Sequence, residues 1–241
     1  MTAVADEVVI DKFTAPLYTQ AEASRYLGLS ESTFRNWARG YTVHTPQRTV
    51  VGDPVITSVE RVTTRGPAIP FVGLAEGYAL AAIRRTGVPL QRIRPALERL
   101  SQEMGVRHAL ASHQLFTDGA EVLFDYASHA PHEDAEALRD LVVVRDGQRV
   151  FKQVVAEYLQ KIVFGTDGFA TAVPLPGYTT AQLVADLRRS FGQPTFVHGG
   201  ARLDDALSLF RSGEPLAVVA EEYGVPPKEL EDAVRQVVRS S

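Results

Sequence analysis

Residues 17–40 read LYTQAEASRYLGLSESTFRNWARG, and this stretch predicts a helix, a tight turn and a second helix. Thr19 and Glu22 have the spacing of a capping box, in which each side chain accepts a hydrogen bond from the backbone N–H of the other residue. Gly28 is expected to supply the positive φ that ends the first helix. Ser30 stands where the second helix needs an N-cap. The pattern favours a helix-turn-helix.

The second of these helices combines a buried stripe with a polar outer face. Phe34 and Trp37 are three residues apart and form the stripe. The side chains left for solvent or for a duplex are those of Ser32, Thr33, Arg35, Asn36 and Arg39. Short polar groups, an amide and arginines near the start of a helix suit base-edge and phosphate contacts in a major groove. We therefore predict a DNA-reading helix; the alternative is an ordinary helical hairpin with a solvated outer face.

Composition bounds the class of protein. A chain of 241 residues is long for one domain, so two or three units are expected. The absence of cysteine excludes disulfides and thiolate metal sites and fits a reducing cytoplasm, which is the expected location. No apolar run reaches the length of a membrane span, and the N-terminus lacks a basic-then-apolar signal, so we expect no membrane association.

The net charge of −4 conceals an uneven distribution. Residues 12–112 carry 13 Lys and Arg against 7 Asp and Glu, whereas the remainder of the chain is acidic. The basic excess lies with the predicted helix-turn-helix, where contacts to phosphates would need it.

A hairpin is predicted beside the reading helix. Val50-Val51 and Val55-Ile56-Thr57 are β-prone runs on either side of the turn signal Gly52-Asp53-Pro54. Such a hairpin would form a wing. Arg48, Arg61 and Arg65 would then meet the backbone of a duplex. The alternative is a structural hairpin with solvated arginines.

The rest of the chain divides into helical and hairpin patterns. Helices are predicted over residues 69–86, 89–104 and 153–160. Residues 114–126 and 141–151 each place an Asp-Gly pair between apolar runs and predict β-hairpins, and a third hairpin is predicted over 162–171. The breaker cluster at 174–177 predicts a linker. Three further helices are predicted over 203–211, 216–223 and 227–238.

These patterns predict a mainly α protein with an α+β middle. We expect a flexible arm over residues 1–15 and a winged helix-turn-helix domain over 16–112. An antiparallel β-hairpin unit of α+β type would follow over 113–175. A C-terminal tri-helical domain, itself helix-turn-helix-like, would cover 176–241.

Two parts of the chain resemble known families. The capped helix-turn-helix with Trp37, the hairpin and the segment GVPLQRI at 87–93 resemble the DNA-binding domain of MerR-type regulators over residues 17–104. The segments SFGQP at 190–194, HGGARL at 198–203, GEP at 213–215 and VVAEEYGV at 218–225 resemble a short bacterial domain long catalogued as of unknown function. Its G-T-R-I threonine is replaced by Ala201, and its Asp-Pro by Asp186-Leu187. The whole chain resembles VapB-type antitoxins with a MerR-like head.

The resemblance implies a type II toxin–antitoxin function. Such a protein binds double-stranded operator DNA as a homodimer, represses its own transcription and neutralises a PIN-like ribonuclease toxin. Arg202, Arg235 and Arg239 are the candidate contacts to the acidic metal site of the toxin, on grounds of charge complementarity. Two alternatives are a stand-alone MerR-like regulator whose middle unit binds a small ligand and a structural adaptor that binds no nucleic acid.

Neither catalysis nor metal binding is expected from the sequence. His129, His132 and Glu133 are metal-ligand types, but they lie in an Ala-Pro loop at non-helical spacing. The sequence has no glycine-rich phosphate loop and no local nucleophile elbow. We predict no enzyme activity, no catalytic residues, no bound metal and no cofactor.

Overall fold

The structure is a computed structural model that describes residues 10–44, 49–130, 132–139, 141–145 and 148–239. About half of the chain is helical, and the strands form small antiparallel sheets. Within the described ranges, no helix combines the length and the apolar character that crossing a membrane requires.

The first part of the chain is built around a buried helix. Its elements are α1 (Gln20–Leu27), α2 (Glu31–Arg39), β1 (Tyr41–His44), β2 (Thr49–Gly52), α3 (Phe71–Arg84) and α4 (Leu90–Met104). Every residue of α3 from Phe71 to Ile83 is buried, because α1, α2 and elements of the middle and C-terminal parts pack around it. An apolar helix of this kind is stable only when surrounded. Helix α3 is therefore the central element of the fold.

The predicted hairpin forms with different strands. Strand β1 pairs with β2, with Tyr41 opposite Gly52 and His44 opposite Thr49, and residues 45–48 between the two strands lie outside the described residues. The predicted turn at residues 52–54 is wrong. The backbone N–H groups of Val55 and Ile56 donate to the carbonyl oxygen of Trp37 at 2.8 and 3.2 Å. Residues 55 and 56 thus donate hydrogen bonds to a backbone carbonyl in the last turn of α2 instead of forming a strand.

The middle part contains α5 (His113–Ala127), α6 (His132–Arg139), β3 (Val142–Arg145), β4 (Gln148–Phe151) and α7 (Gln153–Leu159). The hairpin predicted around Asp118-Gly119 is wrong, because α5 runs unbroken through it. Leu115, Gly119 and Leu123 are buried at a spacing of four, which is helical. A Cβ at Gly119 would come within 3.2 Å of the Phe151 ring, so this glycine permits close packing and makes no turn. The β3–β4 hairpin is confirmed, and its predicted turn at 146–147 lies outside the described residues.

An antiparallel sheet of four strands joins the middle part to the C-terminal part. Its strands, in spatial order, are β5 (Val163–Phe164), β6 (Ala170–Pro174), β7 (Leu183–Asp186) and β8 (Pro194–Phe196). The β5–β6 pair confirms the third predicted hairpin, whereas β7 and β8 were not predicted. The linker predicted at residues 174–177 is wrong at its first residue, because Pro174 belongs to β6 and pairs with Val184. The sheet spans residues 163–196 and crosses the boundary placed between 175 and 176.

The three predicted C-terminal helices are present as α8 (Leu203–Arg211), α9 (Leu216–Glu222) and α10 (Pro227–Arg239). Two carboxylates of α10 bind the loop that enters β7. The Asp232 carboxylate accepts hydrogen bonds from the N–H groups of Thr180 and Ala181 at 2.6 and 2.9 Å. Glu229 accepts from the N–H of Gln182 at 3.0 Å, and its other oxygen lies 2.6 Å from Nδ1 of His198. The helical tail is thereby fixed to the sheet.

The helix-turn-helix packs directly on the C-terminal part. The N–H of Gly177 donates to the carbonyl oxygen of Tyr26 at 2.8 Å. A Cβ at Gly28 would lie 3.3 Å from the Cα of Gly177, so the two backbones are in contact. The Tyr18 hydroxyl donates to the carbonyl oxygen of Gly192 at 2.5 Å. Burial raises the pKa of the Tyr178 phenol to about 12, so it stays neutral in this contact. One apolar cluster runs through the whole molecule, from Tyr18 to Ala233.

The predicted flexible arm is only partly described, because residues 1–9 lie outside the described ranges. Lys12 Nζ forms an ion pair with Asp167 at 2.7 Å. The Phe13 ring meets the Phe169 ring edge to face at 5.1 Å. The expectation of a loose arm does not hold for these two residues, since they pack against the β5–β6 turn.

The Gly28–Gly177 contact gives the first prediction. A Cβ at Gly177 would lie 1.7 Å from the carbonyl oxygen of Arg25, so Gly177→Ala must separate α1 from the sheet. We expect a loss of about 3 kcal/mol in the free energy of unfolding, measured with urea. Gly105→Ala is the control, because Gly105 has open space but a φ of +61°. It should cost about 1–2 kcal/mol from backbone strain alone. Equal losses in the two variants would contradict the close contact.

Candidate nucleic-acid interface

The turn between α1 and α2 forms as the sequence predicts. The N–H of Glu22 donates to Oγ1 of Thr19 at 3.1 Å, and the N–H of Thr19 donates to the Glu22 carboxylate at 2.8 Å. This reciprocal pair is a complete capping box. Gly28 has a φ of +66° and ends α1. Ala23 is fully buried, and its small side chain lets α2 approach closely.

Helix α2 is fixed at both ends and along its inner face. Ser30 Oγ accepts from the N–H of Thr33 at 3.2 Å and caps the first turn. The carbonyl oxygen of Ala38 at the last turn accepts from the Ser58 hydroxyl at 3.0 Å. Phe34 and Trp37 are 0% and 1% exposed, as the stripe predicts. A helix held in this way presents its outer side chains from a rigid support.

The outer face of α2 carries two free cations. Ser32, Arg35 and Arg39 are all exposed, and their spacings of three and four residues place them on one helix face. Within the part of the chain that the structure describes, neither arginine forms a hydrogen bond or ion pair. Guanidinium groups without a partner are available to an external anion.

The other predicted contacts on α2 are less accessible. Thr33 and Asn36 are half-buried. The Thr33 hydroxyl accepts from Ser30 Oγ at 2.8 Å, and Ser32 Oγ lies 3.1 Å from the same atom. Both hydroxyls therefore belong to the cap of the helix as well as to its surface. We retain Asn36 as a candidate on position alone.

The predicted loop arginines occupy different environments. Arg61 is half-buried, and its Nη1 donates to the carbonyl oxygen of Thr64 at 3.0 Å. It lines one shallow cavity of about 340 Å³ together with Arg39, so the loop lies beside the end of α2. Arg65 is exposed, and Arg48 lies outside the described residues. Sequence reasoning missed Arg84 of α3, whose guanidinium lies 5.9 Å from the centroid of the Trp37 ring. No local pattern could have placed it there.

The candidate toxin contacts lie on the C-terminal helices. Arg202 occupies the N-cap position of α8, and its Nε lies 4.0 Å from the Asp205 carboxylate. Arg235 of α10 forms an ion pair with Glu231 at 2.6 Å. The side chain of Arg239 is not among those described. Over the described ranges, no three metal-ligating side chains come together.

The fold and the face of α2 define a helix-turn-helix DNA-binding protein. Residues 16–97 match the family described as "Putative DNA-binding HTH domain". The chain is 46% identical over 226 residues to "Putative antitoxin VapB45" of Mycobacterium tuberculosis, across 92% of this chain and 94% of that protein. The chain therefore belongs to the VapB45 antitoxin family, and the predicted membership of the VapB-type antitoxins is confirmed.

A second sequence and a crystal structure from the same organism are also similar. "Uncharacterized protein Rv2308" is 29% identical over 236 residues, which cover 95% of this chain and 93% of that protein. The crystal structure of Rv2018 superposes with a TM-score of 0.75 at 44% identity, covering 92% of this chain and 99% of that chain. The similarity to both proteins thus extends over nearly the whole length, beyond the helix-turn-helix.

The cap of α2 gives the second prediction. Ser30→Ala removes the acceptor for the Thr33 N–H and should lower the free energy of unfolding by about 1 kcal/mol in thermal or urea unfolding. Ser208→Ala is the control, because the Ser208 hydroxyl is exposed on α8 and forms no hydrogen bond in the described part of the chain; it should change the free energy of unfolding by less than about 0.5 kcal/mol. The reverse order would show that the hydroxyl of Ser30 does not hold the helix.

Proposed function

We propose that this protein is a type II antitoxin that represses its own operon and neutralises a PIN-like ribonuclease toxin. The observation that carries the proposal is the exposed, unpaired pair Arg35 and Arg39 on a rigid helix-turn-helix, in a chain of the VapB45 family. The homologue is named an antitoxin, and an antitoxin with a DNA-binding head commonly acts on both its operator and its toxin. The resemblance to MerR-type regulators further implies a homodimer on a pseudo-palindromic operator, in which each protomer contacts one half-site.

In this proposal α2 enters the major groove. Ser32 and Arg35 lie in its first half, where recognition helices contact base edges, and Arg39 lies at its end, where phosphates are reached. Arg65 and Arg84 are exposed and would add contacts to the duplex backbone. The β1–β2 hairpin would serve as a MerR-like wing. Each arginine that neutralises a phosphate releases counterions, so binding should weaken steeply with salt.

The toxin is assigned to the C-terminal helices by charge. The metal site of a PIN-like ribonuclease is acidic, so a basic side chain from the antitoxin would complement it. Arg235 already pairs with Glu231. Arg202 has only a distant contact of 4.0 Å to Asp205, so less is lost when its guanidinium turns to a new carboxylate. We therefore place Arg202 first among the candidates, ahead of Arg235 and Arg239.

A second candidate function is that of a stand-alone MerR-like regulator that responds to a small ligand. It is favoured by a cleft of about 820 Å³ between α5, β4 and α7. Phe116 and Phe151 supply apolar walls, and Arg149 lies at the cleft. Arg149 is already paired with Glu121 and Asp125 at 2.7 and 2.8 Å, so its charge is compensated. The antitoxin function is preferred because the family relationship supports it and the cleft offers no unpaired charge from Arg149.

The DNA-binding half of the proposal is tested at Arg35. Arg35→Ala should lower operator affinity by about 1–3 kcal/mol, or roughly 5- to 150-fold in Kd, and should flatten the salt dependence. Titration of a labelled promoter fragment measures both. Arg211→Ala, which removes an exposed arginine of α8, should leave operator affinity unchanged. An unchanged affinity for Arg35→Ala would remove α2 from the interface.

The toxin-binding half is tested at Arg202. Its backbone bridges to Thr195, and alanine retains that pairing, so Arg202→Ala should fold normally. We expect its affinity for the ribonuclease encoded beside it to fall by about 2 kcal/mol, roughly thirtyfold in Kd. Inhibition of RNA cleavage is the measurement, and Arg211→Ala, at the other end of α8, is again the control. Full inhibition by Arg202→Ala would place the toxin contact elsewhere, while loss in both variants would indicate a general charge effect.

A further inference from the structure

Arg94 of α4 is a buried cation whose polar atoms have no partner. Its Nε, Nη1 and Nη2 atoms are all buried and make no hydrogen bond within the described part of the chain. A charged group removed from water is costly unless an opposite charge or hydrogen-bond acceptors replace the water. The ring of Tyr41, whose centroid lies 5.6 Å from the guanidinium carbon, compensates only part of this cost.

The hairpin encloses the guanidinium. A Cβ at Gly52 would lie 3.1 Å from Nη2 of Arg94 and 2.5 Å from the Tyr41 ring, so the space exists because Gly52 has no side chain. Arg94 lines a cavity of about 280 Å³ with Leu97 and Ser101. It also lines a second cavity of about 370 Å³ with Thr49 and Gln91. The guanidinium thus lies between the hairpin and α4 with space on both sides.

The carboxylates nearby do not pair with Arg94. Glu76 lines the smaller cavity, but one of its oxygens accepts from the N–H of Thr57 at 2.5 Å and the other lies 3.0 Å from Nδ1 of His108. Glu98 lines the same cavity, and no ion pair joins it to Arg94 in the described ranges. Neither Glu76 nor Glu98 is therefore the ion-pair partner of Arg94.

We propose that Arg94 binds an external oxyanion, a phosphate or carboxylate group, in the space between the β1–β2 hairpin and α4. A guanidinium offers a planar fork of N–H donors that matches two oxygens of either group. The ligand is either a small free anion or a phosphate of the DNA backbone. Because the three nitrogens are shielded from solvent, an oxyanion contacts them only when the hairpin shifts away from α4. A small anion in the adjoining cavity of about 370 Å³ requires a smaller shift than a duplex does, so the small anion is favoured.

The test compares the full chain with two variants. Arg94→Met keeps an unbranched side chain of similar length and removes the charge. Arg99→Met is the matched control, because Arg99 lies on the same helix, is exposed and pairs with Glu103. Thermal unfolding is measured at equal ionic strength in sodium chloride, in sodium phosphate and in sodium citrate. A short duplex of arbitrary sequence is added to the chloride buffer in a further set.

If Arg94 binds an oxyanion, the change in Tm on going from chloride to phosphate or citrate should depend on whether Arg94 is present. The unsubstituted protein and Arg99→Met should gain about 5 °C or more in Tm when phosphate or citrate is far above Kd. Phosphate and citrate also stabilise folded proteins in general, so Arg94→Met should gain about 5 °C less from them than the other two proteins do. In chloride Arg94→Met should be at least as stable as the unsubstituted protein, because it buries no unpaired charge. Stabilisation by the duplex alone, again dependent on Arg94, assigns the oxyanion to DNA. If no anion or duplex stabilises the protein through Arg94, the proposal is overturned.

Discussion

The contact between Gly28 and Gly177 is the constraint on which the arrangement of the molecule depends. At Gly28 the first helix ends, and at Gly177 the chain crosses that end closely enough for backbone to meet backbone. Side chains on either residue would force α1 away from the sheet. Because α2 is held against α1 and α3, the position of the outer face of α2 is fixed relative to the sheet and the C-terminal helices. The helix-turn-helix is part of one continuous core and is not a separate head on a linker.

The support of α2 explains why its outer arginines are left free. Caps, the buried pair Phe34 and Trp37, and the loop at residues 55–58 satisfy the backbone and the inner face of the helix. Within the described ranges, neither Arg35 nor Arg39 forms a hydrogen bond or an ion pair. Unpaired exposed cations contribute little to folding, and the binding of an external anion by these two arginines remains a proposal.

Local patterns in the sequence predicted the helix-turn-helix well. The capping box, the glycine turn and the stripe of Phe34 and Trp37 are all short-range signals, and the structure contains each of them. The same kind of reasoning failed at Gly119, which resembles a hairpin turn in sequence but is needed for contact with Phe151. Strand β8 was missed because it is short and begins with a proline. Such strands are determined by the neighbours with which they pair, and the neighbour of β8 is β7, which was itself not predicted.

The candidate DNA-binding site was likewise only partly predictable from the sequence. The exposure of Ser32, Arg35 and Arg39 follows from helical spacing and was predictable. The positions of Arg84 beside Trp37 and of Arg94 beside Tyr41 depend on how α3 and α4 pack, which no local pattern encodes. For the toxin contacts, the structure describes Arg202 and Arg235 at the surface, and their role remains a prediction.

The carboxylates of α10 make the last helix of the chain a structural support for the first. Asp232 and Glu229 satisfy three consecutive N–H groups in the segment that leads into β7. The preceding residues of that segment, Gly177 and Tyr178, are those that contact α1. A cut that released α10 would leave these amides without acceptors and would loosen the platform beneath the helix-turn-helix. Damage at the carboxyl terminus, more than 180 residues along the chain from α2, would thus reach that helix through these hydrogen bonds and the contact between Gly28 and Gly177.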